Sequence, residues 1–121
     1  LPIFGLGLIT TLAIAPAAWA NRSSAVIEAP ATVSKGTEAT IKITVSHNGN
    51  NWSHYTQWAK VLANGKEVAR WDYSWSNRPE SEVCYKEIKL QITEPTKIRA
   101  EASCVIHGGE PPDEKTVQIT E

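Results

Sequence analysis

The chain has 121 residues, a formal net charge of −1, three histidines, two cysteines and no methionine, which suits one domain with one modest core. Near-neutral charge without a basic stripe argues against nucleic acid and anionic membrane surfaces as partners. Every charged residue lies after Ala20, so the first segment reads apart from the rest.

That segment, 1–20, is an uncharged apolar run ending in Ala-Pro-Ala-Ala-Trp-Ala. Small residues at Ala18 and Ala20 fit signal-peptidase cleavage after Ala20. The expectation is a partial signal peptide over 1–20, lacking the initiator Met and a basic n-region, and a mature domain over 21–121. A retained membrane anchor is the competing reading, since the run is barely long enough to span a bilayer; Pro2, Pro16 and two glycines weaken it. Either reading exports the folded part, to the periplasm or another external compartment, with no membrane partner after cleavage.

From Asn21 onward the apolar residues alternate in short bursts. Ala25-Val26-Ile27 predicts a short strand, interrupted at Ala29-Pro30. Thr40 to Val45 alternates strictly, with Ile41, Ile43 and Val45 on one face, as a half-buried strand requires. His47-Asn48-Gly49-Asn50-Asn51 is a turn cluster. A strand follows over His54 to Leu62, Asn64-Gly65 signals a two-residue hairpin, and Lys66 to Trp75 is its return. After the loop at Ser76 to Glu80, Val83 to Ile92 alternates with Tyr85 out of phase with Ile88 and Leu90, which predicts a local irregularity. Glu94-Pro95-Thr96 turns the chain, Ile98 to Ile106 runs back, Gly108 to Asp113 is a loop, and Thr116 to Ile119 closes the fold. About seven strands without a helical stretch predict an all-β, immunoglobulin-like antiparallel β-sandwich. Trp52, Trp58, Trp71 and Trp75 read as core and site-wall residues.

Cys84 and Cys104 have two readings. In an oxidising compartment a disulfide is the plain one; if the chain makes a hairpin at Glu94-Pro95, the two cysteines fall nearly opposite each other. The other reading uses Cys104 as a metal ligand. Cys104-x-x-His107 ends a strand where Gly108-Gly109 permits a tight bend, so both side chains can reach one ion. His47 and His54 are the remaining histidines. A thiolate with imidazoles suits iron, zinc or copper rather than calcium or magnesium. There is no nucleophilic-serine pattern, no phosphate-cradling glycine loop and no Cys-x-x-Cys pair.

These motifs, in their order, resemble the iron-binding domain of the desulfoferrodoxin and superoxide reductase family. The matching residues are Ala25-Val26-Ile27-Glu28, His47, His54-Tyr55-Thr56-Gln57-Trp58, Asn64-Gly65-Lys66-Glu67-Val68 and Ala102-Ser103-Cys104-Val105-Ile106-His107-Gly108. The resemblance implies an immunoglobulin-like sandwich holding a mononuclear non-haem iron by four histidines in a plane and an axial cysteine thiolate. It implies one-electron reduction of superoxide to hydrogen peroxide at the open sixth position. In this chain the implied ligands are His47, His54, Cys104 and His107. The family's first histidine falls on Ser23, its loop glutamate on Asn21, and its substrate-side lysine on Arg22, which keeps the charge and is the candidate catalytic residue. His47 and His54 lie one residue further apart than is usual, the Pro-Met after the first is missing, and Val105 replaces the family's Asn.

The leading expectation is therefore an exported superoxide reductase-like iron protein fed by a separate electron-donor protein, with homo-oligomerisation left open. The competing expectations are a non-catalytic immunoglobulin-like binding module with a Cys84–Cys104 disulfide, and the same ligand set holding copper or zinc.

Overall fold

The computed structural model describes residues 22–121; the expected leader lies outside the described residues. They form eight strands: β1 (Ser24–Glu28), β2 (Thr32–Ser34), β3 (Thr37–Ser46), β4 (Thr56–Ala63), β5 (Lys66–Asp72), β6 (Val83–Ile92), β7 (Thr96–Cys104) and β8 (Asp113–Thr120). One sheet has the order β1-β3-β6 and the other β2-β8-β7-β4-β5. The expected all-β, two-sheet architecture is the one observed. The strand beyond the expected seven is β2, which pairs parallel to β8 and makes the larger sheet mixed. Ala29-Pro30 interrupts the chain before it, as read from the sequence.

Strict alternation in β3 buries Ile41, Ile43 and Val45. They meet Val61 of β4, Ile98 of β7 and Val117 of β8 from the facing sheet in one cluster. Full burial of a Val or Ile side chain contributes roughly 1.5–3 kcal/mol, so this double row is the main bond between the sheets. Asn64 and Gly65 both take positive φ, 50° and 84°, the condition for the type I′ turn that suits a right-twisted hairpin. The hairpin β4–β5 forms there as expected, with a register shift between Val61 and Leu62.

Three expectations are corrected. The ladder between β3 and β6 runs unbroken from Ser46↔Val83 to Thr37↔Ile92; Tyr85 simply points outward, 78% exposed, so its phase marks the solvent face and no irregularity. The turn at Glu94-Pro95 is not a hairpin, because β6 belongs to one sheet and β7 to the other. Cys84 therefore pairs across from Val45 and Cys104 across from Thr56, and both are free thiols. Of the four tryptophans among the described residues, only Trp71 packs on the core. Trp52 and Trp75 fall in turns, where nothing covers them, and are 71% and 65% exposed. Trp58 pairs with Asp72 and Ser103 on the outward row of its sheet, with Lys60 and Arg70 over its ring at 5.0 and 5.4 Å, a cation–π arrangement.

Candidate metal centre

Three chain segments converge at one end of the sandwich. His47 follows the last residue of β3, and its N–H donates to Glu82 O at 2.8 Å. This bond carries the β3–β6 ladder one step past the strands and seats the imidazole, which is buried. The turn cluster then reverses the chain through Gly49, at φ 76°. A tight turn with mutual backbone bonds between Asn51 and His54, 2.8 and 3.2 Å, presents His54 just before β4.

Cys104 is the last residue of β7 and is 2% exposed. Beyond it the chain closes on itself: Cys104 N–H donates to Gly108 O at 2.8 Å and Gly108 N–H to Cys104 O at 3.2 Å. Gly108 at φ 73° supplies the left-handed residue this closure needs. Gly109 has a separate reason, since a methyl there would overlap the Ala102 carbonyl oxygen. The expected strand to Ile106 thus stops at Cys104, and residues 105–107 form a turn that swings His107 back. Val105 N–H donates to Tyr55 O at 3.0 Å, tying this turn to the segment that carries His54. Ile106 N–H lies 3.4 Å from Cys104 Sγ and donates to it.

Three of the four expected donors, His47, His54 and Cys104, converge, and the fourth, His107, adjoins His54. His54 stands between the other two imidazoles, with ring centroids 4.6 Å from His47 and 4.8 Å from His107. His107 Nδ1 is 3.0 Å from His54 Nε2. One donor atom each from His47, His54 and Cys104 lies within 4.8 Å of the others. An ion at ~2.0–2.3 Å from each nitrogen or sulfur requires those atoms to draw closer together than they stand. Soft sulfur with imidazole nitrogen fits a mononuclear transition-metal ion.

Ser23, where the resemblance places a further histidine, is fully buried. Its Oγ is 2.7 Å from Thr56 Oγ1, and its N–H donates to Gly108 O at 3.2 Å. The position is next to the site but filled by a hydroxyl pair, so the chain offers three imidazoles and one thiolate. Asn50 escaped notice in the sequence: its Oδ1 is 3.0 Å from His47 Nδ1 and accepts the Thr56 N–H at 3.1 Å. Its place three residues after His47 is a weak signal inside an asparagine-rich turn. Arg22 precedes Ser23 in the chain. It lines a cleft of about 410 Å³ with Trp58, Arg99, Glu101, Pro111 and Pro112, and none of the four donors lines that cleft.

The family model for desulfoferrodoxin matches residues 18–109, a span that contains all four donors. No curated protein matches the chain significantly. Among solved structures, a superoxide reductase (neelaredoxin) from Ignicoccus hospitalis is similar at 17% identity over 81% of this chain and 83% of that one, with a TM-score of 0.64. A superoxide reductase, described as putative, from Thermotoga maritima is 23% identical over 80% and 86%, with a TM-score of 0.57. A CARDB domain from Pyrococcus furiosus in complex with di-metal ions is 16% identical over 80% and 91%, with a TM-score of 0.61. At these identities the structures establish the fold alone; the family rests on the match across most of the chain and its ordered motifs. The chain belongs to the desulfoferrodoxin family.

Proposed function

We propose that this protein is an exported, superoxide reductase-like protein that holds one mononuclear non-haem iron through His47, His54, Cys104 and His107. The reaction is O₂•⁻ + e⁻ + 2H⁺ → H₂O₂, with the electron replaced by a separate donor protein. The observation that supports it is the convergence of His47, His54 and buried Cys104, with His107 against His54, from three distant segments inside the family-matched span. Iron, when bound, would supply the one-electron chemistry and an open coordination position. The protein's own contribution is legible in its residues. The Ile106 N–H, donating to Cys104 Sγ, orients the sulfur and draws electron density from it, which would tune the potential of a bound iron. The buried seats of His47 and Cys104 keep bulk water from those two ligands, while exposed His107 forms the solvent side, from which a small anion arrives. Arg22 acts at longer range as a positive charge attracting that anion, an effect that weakens with salt.

Purified protein loaded anaerobically with ferrous iron is expected to take up about one equivalent and, after oxidation, to show a thiolate-to-ferric absorption band and consume superoxide. The Cys104→Ser variant should lose the band. Absence of a band in the wild-type protein, or its persistence in Cys104→Ser, refutes the assignment. The loss of the family's first histidine to Ser23 favours one further reading, in which three imidazoles and a thiolate hold zinc or copper as a four-coordinate ion. Metal analysis of the native protein separates the two.

A further inference from the structure

We infer that Asn50 is a positioning residue, which locks His47 in the Nδ1–H tautomer and so turns its Nε2 lone pair toward the ion. This inference rests on the metal reading for its purpose, while the tautomer itself follows from the bonding around Asn50.

The orientation of the Asn50 amide is settled by two backbone groups. Its oxygen lies 3.1 Å from Thr56 N, a group that can only donate, and its nitrogen lies 3.1 Å from Ser81 O, a group that can only accept. Rotating the amide by half a turn would set donor against donor and acceptor against acceptor. Oδ1 therefore accepts from both sides. The His47 Nδ1 atom, 3.0 Å from that same oxygen, has to carry the hydrogen. In neutral imidazole the lone pair is then on Nε2.

The linkage is wider than one bond. Through Ser81 O the amide reaches the segment leading into β6, and through Thr56 N–H it reaches the first residue of β4, which pairs with Cys104. One side chain thus connects the seats of His47 and Cys104. Partners of this kind orient a metal-bound imidazole and raise its basicity, and their loss typically lowers metal affinity by about 10–100-fold.

The test uses protein with ¹⁵N-labelled histidines, metal-free and at a pH where imidazoles are neutral, with the tautomer read from long-range ¹H–¹⁵N couplings. Wild-type His47 is expected as the Nδ1–H form. Asn50→Leu should give a mixture of tautomers or the Nε2–H form. Asn50→Asp, whose carboxylate can still accept from both His47 and Thr56 while the exposed Ser81 carbonyl turns to water, should retain Nδ1–H and guards against a variant that fails to fold. Zinc or ferrous affinity should fall about 10–100-fold in Asn50→Leu and recover in Asn50→Asp. An Nε2–H tautomer in the wild type, or an unchanged His47 tautomer in folded Asn50→Leu, overturns the inference; so does unchanged metal affinity in that variant. A wild-type protein that binds no metal yet shows the Nδ1–H tautomer refutes the proposed function, and not the role of Asn50 in fixing the ring.

Discussion

The buried hydroxyl pair of Ser23 and Thr56 gives a prediction that can be worked through from the coordinates. Both residues are at most 1% exposed, and their oxygens are 2.7 Å apart. Thr56→Val keeps nearly the same shape but leaves the Ser23 hydroxyl in a water-free place with no partner. The cost is the desolvation penalty of an unmade bond, about 1–3 kcal/mol. Ser23→Ala strands the Thr56 hydroxyl by the same reasoning and should cost a similar amount. With both changes no polar group is left unsatisfied, so the double variant should cost much less than the two singles added together, a coupling of about 1–2 kcal/mol. Urea unfolding followed by tryptophan fluorescence measures it, provided the slope with denaturant stays constant across the four proteins. In a thermal scan each kcal/mol would appear as about 4–8 °C for a domain of this size. Strictly additive costs, or single variants as stable as the wild type, would show that the pair is not a closed buried bond.

Two further outcomes are expected. Gly109→Ala should destabilise the fold by about 1–3 kcal/mol or more in the same urea assay, because its methyl meets the Ala102 carbonyl; a neutral result would mean that the turn after β7 is free to move. In metal-free protein under native conditions, half-buried Cys84 should react with a thiol-specific alkylating reagent well before Cys104, which is 2% exposed. Non-reduced mass spectrometry should give the dithiol mass, and a mass two hydrogens lower would contradict the two free thiols.

Much of the fold was legible because period-two alternation reports directly which residues face a core. The inward row of β3 and the Asn64-Gly65 hairpin depend on local chemistry, and both form as read. Short β2 carried no such signal: three residues cannot show a period, and it exists because β8 offers an edge. Tyr85 and Trp58 mislead for the opposite reason. Large aromatic residues suggest burial, yet the pleat puts both on outward rows, where cations lie over the Trp58 ring.

The sequence by itself determined the donor inventory and its order: three histidines and Cys104, in the spacing of a known family, with Ser23 where another histidine would stand. Side-chain chemistry and spacing along the chain are local properties, and a pattern can carry them. What only the tertiary structure decided is which groups meet. The step from β6 to β7 crosses between sheets, so Cys84 and Cys104 are not the cross-strand neighbours a hairpin would make them, and both are free thiols. The same packing carries Asn50 from an unremarkable turn to the side of His47, and sets Arg22 in a cleft that none of the four donors lines. These outcomes depend on contacts between segments far apart in the chain, and no local pattern encodes such contacts.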